Sequence, residues 1–359
     1  MSIDSIDSSE GPFDLSYTPE SSLDVYSREG LALGVTPVIG LSRLETVKQA
    51  VLRRAIVDVG SGGTKYLIAD YNLATGQYTV VKEGRIKVPY QRALNASEDH
   101  LFGKEIREEG IAAFQEIQNL FSDYGVQQSF AFATEAFRQA DNAMDFVHEI
   151  GRRSGINVRI FEQKDEAAIA FAQAAEHLSV PEENLVVLEI GTGSFQLSIK
   201  DERAHMGDLG SVPFNHQILK EILDLDPAES GNLGSLTDEQ VKQADKIARD
   251  IARKAEKEIK NVIQGDADRS IVGIGNLFTR SLAPHAKNPD VITRSDIRKF
   301  IREILKMPSD EIKNDPFLGT DLSNASLALG FMKALQIHEI NVLDSSNTTT
   351  ILQNEANWS

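Results

Sequence analysis

An eight-residue pattern that occurs twice constrains this chain most. Val57-Asp58-Val59-Gly60-Ser61-Gly62-Gly63-Thr64 is echoed by Leu188-Glu189-Ile190-Gly191-Thr192-Gly193-Ser194-Phe195. Each copy reads as a buried strand, an acid, an aliphatic residue, a Gly-rich turn and a second strand. The copies stand roughly one domain length apart. A solenoid would repeat every ~20–50 residues, so the spacing predicts duplication of a whole domain.

Tight turns with several glycines let backbone N–H groups converge without Cβ obstruction. Such a concavity binds anions, phosphate in particular. One Gly-rich hairpin is common for steric reasons alone. The second copy, with an acid in the matching place, favours the anion reading. The candidate phosphate-binding residues are therefore Gly60, Ser61, Gly62 and Gly63 in the first turn, and Gly191, Thr192, Gly193 and Ser194 in the second. Asp58 and Glu189 precede the turns and supply oxygen donors suited to a hydrated Mg²⁺ or another divalent cation. Neither turn matches G-x-x-x-x-G-K-[ST] or G-x-G-x-x-G, so those nucleotide motifs are not supported.

The remaining sequence narrows the chemistry. There is no cysteine among the 359 residues, which excludes disulfides, thiolate catalysis and Cys-based zinc sites. The seven histidines are scattered without metal-ligand spacing. The formal net charge of -17 argues against a nonspecific nucleic-acid binder, so no DNA partner is expected. No apolar run approaches the roughly 20 residues of a membrane helix, and the acidic N-terminus has no apolar signal region. A cytoplasmic protein without a membrane partner is the expectation.

Strands are predicted at 55–59, 64–71, 76–84, 85–90, 129–134, 157–161, 184–190, 195–200, 203–209, 270–275 and 340–343. Helices are predicted at 42–54, 103–122, 141–153, 164–178, 213–223, from Thr237 to near Gly265, at 293–305 and at 323–338. Thr237-Asp-Glu-Gln240 has the form of a capping box. The first 30 residues, rich in Ser, Asp and Glu, bury too little apolar surface to offset ordering entropy. The tail from Asp344 reads as loosely ordered.

The run ATEAFRQADNAMDFVHEIGRRSGINVRIFEQKDEAAIAF, residues 133–171, resembles the corresponding stretch of exopolyphosphatase / guanosine-pentaphosphate phosphatases. Thr134, Arg138, Ala140, Asn142, Gly155 and Asp165-Glu166-Ala167 carry the likeness. The two Gly-rich turns match that family's phosphate loops in position and order. The resemblance implies an α/β fold, the duplicated actin-like / ribonuclease H-like two-domain fold with a central cleft. The resemblance does not cover residues 1–53, which their composition predicts to be an acidic mobile arm. On that fold, residues 54–178 with 323–359 returning form the first domain, and 179–322 form the second.

The resemblance also implies Mg-dependent hydrolysis of a terminal phosphoanhydride, in short polyphosphate or in guanosine pentaphosphate. Glu166 would activate the water, with Thr134 and Arg138 as phosphate contacts. Asp58, Glu189 and Gln196 would face the metal. This chain has Glu189-Ile-Gly-Thr-Gly-Ser-Phe-Gln196 where the family usually has Asp-Ile-Gly-Gly-Gly-Ser-Thr-Glu. Gln196 is a neutral amide that accepts a hydrogen bond but supplies no charge. Two other readings stand beside hydrolysis: a catalytically impaired regulatory homologue that binds nucleotide or polyphosphate, and a sugar or acetate kinase of the same fold. A homodimer is left open.

Overall fold

Ala55, Ile56 and Val57 are fully buried in succession, so the strand that carries them is covered on both faces. That strand, β1 (Val51–Gly60), is the centre of the first sheet. The computed structural model describes residues 51–227, 233–265, 269–315, 317–344, 347–354 and 358. Most of the expected N-terminal arm, and residues 42–50 of the expected first helix, lie outside this range. Residues 51–54 are strand instead of helix, because they pair with residues 69–72 of β2 (Gly63–Asn72).

The first sheet has five strands in the order β3-β2-β1-β4-β5. β1, β2 and β3 (Tyr78–Ile86) run antiparallel, while β4 (Gln128–Ala133) and β5 (Val158–Ile160) continue parallel to β1. β3 is one strand where two were expected. Gly84 passes beneath the Tyr66 ring, where a Cβ would come within 2.5 Å of the hydroxyl, so glycine here serves close packing and not a turn.

The second sheet repeats this plan. β6 (Leu185–Ile190), β7 (Phe195–Ile199) and β8 (Arg203–Gly207) are antiparallel. β9 (Ser270–Ile274) and β11 (Glu339–Leu343) run parallel to β6, and β10 (Val291–Thr293) closes the edge. The full order is β10-β11-β9-β6-β7-β8. Laid over one another, β3-β2-β1-β4-β5 and β8-β7-β6-β9-β11 have the same topology. The sequence repeat is therefore a fold repeat.

The C-terminal allocation differs from expectation. The Leu318–Ala334 helix packs on the Asp238–Ala252 helix through Gly330, whose added Cβ would sit 2.4 Å from that of Ala248. β11 lies inside the second sheet. Residues 318–343 thus belong with the second sheet, and only the last helix, Asn347–Gln353, returns to the first. There Ile351 and Leu352 are buried with Ile56, Leu67 and Phe132. The Arg54 guanidinium lies 4.3 Å from the Tyr71 ring centre and 4.5 Å from that of Trp358. Ile351, Leu352 and Trp358 are thus packed where a loosely ordered tail was expected.

The capping box at Thr237 is formed, with Gln240 N–H donating to Thr237 Oγ1 at 3.2 Å and Thr237 N–H to Gln240 Oε1 at 2.8 Å. The charged stretch behind it breaks into two helices, Asp238–Ala252 and Lys257–Gln264. The Gln163–His177 helix connects the halves. Its Ala170 and Ala174 pack against Leu185, Val187 and Ile274 of the second sheet, while Ile169 packs with Phe132 and Phe161 of the first. Among the described residues no helix is long and apolar enough to cross a membrane.

Candidate active site

The two Gly-rich turns are both two-residue hairpins. Gly60 pairs with Gly63 across Ser61-Gly62. Ile190 pairs with Phe195, and Gly191 N–H donates to Ser194 O at 2.9 Å across Thr192-Gly193. In the first, Ser61 O accepts from Gln91 N–H at 2.9 Å and Gly62 O accepts from the Arg85 guanidinium at 2.8 Å. In the second, the carbonyls of Gly191, Thr192 and Gly193 accept from the N–H groups of Ser211, Val212 and Gly210 at 2.9–3.0 Å. These are donors at the start of the Ser211–Gln217 helix, which would otherwise lack partners.

A trans peptide points its N–H opposite to its C=O. Tying the carbonyls of 191–193 to that helix therefore turns the N–H groups of Thr192, Gly193 and Ser194 the other way. The first hairpin does the same for Gly62 and Gly63. Gly210 makes the arrangement sterically feasible, since a Cβ there would lie 2.6 Å from the Gly193 carbonyl carbon and the Ser194 nitrogen.

The acids flanking the hairpins occupy the same register position. Asp58 lies opposite Lys65 on β2, and Glu189 lies opposite Gln196 on β7. Lys65 donates to Asp58 at 3.1 Å. The Gln196 amide donates to Ser194 Oγ at 3.2 Å. Two cations, Lys65 and Arg85, thus stand at the first hairpin, and a neutral amide lies beside the second.

Three buried charges gather between them. The Glu135–Gln139 helix follows β4 and is anchored by Phe137, whose ring stacks on Phe146 at 5.4 Å. Thr134 N–H donates to Val59 O at 3.1 Å and its hydroxyl to the same oxygen at 3.4 Å, so this helix begins beside the end of β1. Arg138 Nη1 donates to Glu166 Oε2 at 2.5 Å and to Phe161 O at 2.9 Å. Its Nη2 donates to Glu135 Oε2 at 3.4 Å. The three side chains are 12%, 10% and 5% exposed for Arg138, Glu166 and Glu135.

Glu166 sits in the first turn of the Gln163–His177 helix, whose N-terminus is fixed by a capping box between Glu162 and Asp165. Burial pushes its carboxyl up to about 7, against the pull of Arg138, with Asp58 and Glu135 pushing further in the same direction. Burial also raises Glu135, opposed by a hydrogen bond from Ser194 and by the Arg138 charge. An acid poised near neutrality and held in one place has the properties of a general base.

The Ppx/GppA phosphatase family model matches residues 56–317. The chain belongs to that family. Among its relatives, this Ppx/GppA chain is 21% identical to Exopolyphosphatase 1 of Mycobacterium leprae over 298 residues, 81% of this chain and 86% of the relative. Among solved structures it is similar to the Aquifex aeolicus Ppx/GppA family member at 21% identity and TM-score 0.66, covering 85% of this chain and 98% of that one. It is also similar to an exopolyphosphatase from Cytophaga hutchinsonii at 13% identity and TM-score 0.63, covering 84% and 96%. These likenesses establish the duplicated actin-like fold.

Within this Ppx/GppA chain, the structure places Thr134, Arg138 and Glu166 together, with Asp58 close enough to shift Glu166. Arg138, expected to contact phosphate, donates to two glutamates and a backbone carbonyl. Sequence reasoning passed over Glu135, Lys65 and Gly210. Lys65 was findable by superposing the hairpins, which aligns it with Gln196. Glu135 carries the signal of an acid three residues before Arg138 on a helix. Gly210 has no comparable signal.

Proposed function

We propose that this chain hydrolyses a terminal phosphoanhydride, in polyphosphate or guanosine pentaphosphate, with Glu166 as the base that activates water. The observation that supports it most is Glu166 itself: buried, held by Arg138, and close to neutrality between two amide-lined hairpins. The hairpin N–H groups hold the phosphoryl oxygens and stabilise charge as the bond to the leaving phosphate lengthens. Glu166 takes a proton from the attacking water, whose oxygen forms the new P–O bond while the bridging P–O bond breaks. Arg138 fixes the carboxylate's direction. The likeness to Exopolyphosphatase 1 and to the Cytophaga hutchinsonii exopolyphosphatase, by their names, supports this substrate class.

A divalent cation fits this reading in a limited way. Among the described residues no three acidic or histidine side chains form a metal cage. Asp58 and Glu189 are one carboxylate per hairpin at matching register, and Gln196 is the cross-strand partner of Glu189. Such a sparse oxygen set suits Mg²⁺, which keeps waters and takes phosphate oxygens as ligands. When bound, the ion neutralises charge on the phosphate chain.

The test is phosphate release from tripolyphosphate, long-chain polyphosphate and guanosine pentaphosphate, with and without Mg²⁺, for wild type and Glu166→Gln. Loss of about 10²–10⁴-fold in the variant is expected. Equal release by both proteins would remove Glu166 from the role. The regulatory reading draws on Gln196 standing opposite Glu189. It predicts calorimetric binding of polyphosphate with no phosphate released by wild type.

A further inference from the structure

The Glu135 side chain packs directly on Gly193 of the second hairpin. A Cβ on Gly193 would lie 2.7 Å from Glu135 Cγ and 3.0 Å from its carboxyl carbon, so only glycine admits this approach. Ser194 hydrogen-bonds the carboxylate. Arg138 reaches one carboxylate oxygen at 3.4 Å, and Gln139 Nε2 donates to the other at 2.5 Å. The side chain is only 5% exposed. Glu135 therefore stands on the same hairpin whose three amide N–H groups are turned away from the Ser211–Gln217 helix.

We propose that the Glu135 carboxylate is a built-in anion on the second hairpin, and that substrate phosphate competes with it for that hairpin. The inference rests on the phosphohydrolase reading, because it takes the hairpin to be a phosphate subsite. A carboxylate and a phosphate offer the same kind of anionic oxygen to backbone N–H donors. Two such anions cannot share the one hairpin without strong mutual repulsion. The charged groups facing Glu135 do not cancel this. Arg138 is already shared with Glu166, and Asp208, which accepts from Gln163 at 3.3 Å, adds a like charge that pushes Glu135 up. Every phosphate ligand then binds more weakly than the hairpin geometry alone would allow, and released phosphate is held less tightly.

The test uses the full chain and two variants. Glu135→Gln keeps the shape and the hydrogen bond to Ser194 but removes the charge. Glu135→Ala also clears the space above Gly193. Calorimetric titration at pH 8 with tripolyphosphate, and separately with inorganic phosphate, is expected to show binding at least about tenfold tighter in both variants than in wild type. Gly193→Ala serves as a check on the contact. It should lower the melting temperature of wild type and be tolerated in Glu135→Ala, because the γ-carbon and carboxyl carbon it would strike are gone. Variants that melt like wild type yet bind equally or more weakly would overturn the proposal. Absence of tripolyphosphate binding in Glu135→Gln overturns it as well. The phosphohydrolase reading is judged separately by turnover of wild type: turnover without tighter binding in the variants removes this inference alone, while absence of both removes both.

Discussion

Arg138 donates to the Glu166 carboxylate at 2.5 Å, and both side chains are about nine-tenths buried. One residue comes from the helix after β4 and the other from the helix after β5, so the pair exists only once the first sheet is assembled. Arg138 is also what keeps Glu166 from rising further, since burial alone would push the carboxyl beyond about 7.

Replacing Arg138 with Met removes that restraint. The expected outcome is an alkaline shift of roughly 1–3 units in the rising limb of the pH–rate profile. Activity at pH 7 falls sharply and part of it returns near pH 9. Phosphate release by Arg138→Met from pH 5 to 10 checks this. An unshifted limb with uniformly lower rates would mean that Arg138 acts on substrate and not on Glu166.

Stability should depend on pH through the same group. The folded Glu166 carboxyl titrates near 7 where the ordinary value is 4.5, so between these values the folded state binds more protons than the unfolded state. Stability from this group is therefore lost as pH rises from about 4.5 to about 7. Glu166→Gln escapes that loss. It should be more stable than wild type at pH 8 by an amount on the order of 2–3 kcal/mol, with the gap closing toward pH 4.5. Urea unfolding at both pH values measures the difference.

Gly210 holds the second hairpin against the Ser211–Gln217 helix. A Cβ there would meet Gly193 and Ser194 backbone at 2.6 Å, and backbone cannot rotate aside. Gly210→Ala should cost about 1–3 kcal/mol in unfolding and weaken tripolyphosphate binding by displacing the N–H groups. By contrast, Lys65→Gln removes a half-exposed ion pair to Asp58 and should change stability by less than about 1 kcal/mol.

The duplication was legible because each copy compresses strand, acid and glycine turn into eight residues, and the matching strand orders of the two sheets follow from it. Glu166 was legible through its place in the resemblance. The Leu318–Ala334 helix was harder to assign, because Ser323, Ala325, Ser326, Ala328 and Gly330 are buried all round it and no face marks its partner. Tertiary contacts decide which sheet it joins: Gly330 fits against Ala248, and the Phe331 ring meets Phe195 of β7 at 4.9 Å. Residues 51–54 carry apolar spacing that suits a helix, and pairing with residues 69–72 overrides it. Beyond its spacing from Arg138, Glu135 was not legible as a site residue, because its closest approach is to Gly193 of the other sheet, far along the chain. No local pattern reports such a contact.

The most direct measurement is the pH dependence of phosphate release from tripolyphosphate, wild type beside Glu166→Gln. The account predicts that the wild-type rate climbs with pH through about 7 and levels off above it, as the Glu166 carboxyl ionises. The variant should be slower by about 10²–10⁴-fold and show no such climb. A wild-type profile flat from pH 5 to 9, or a variant that retains both rate and climb, would contradict Glu166 as the base.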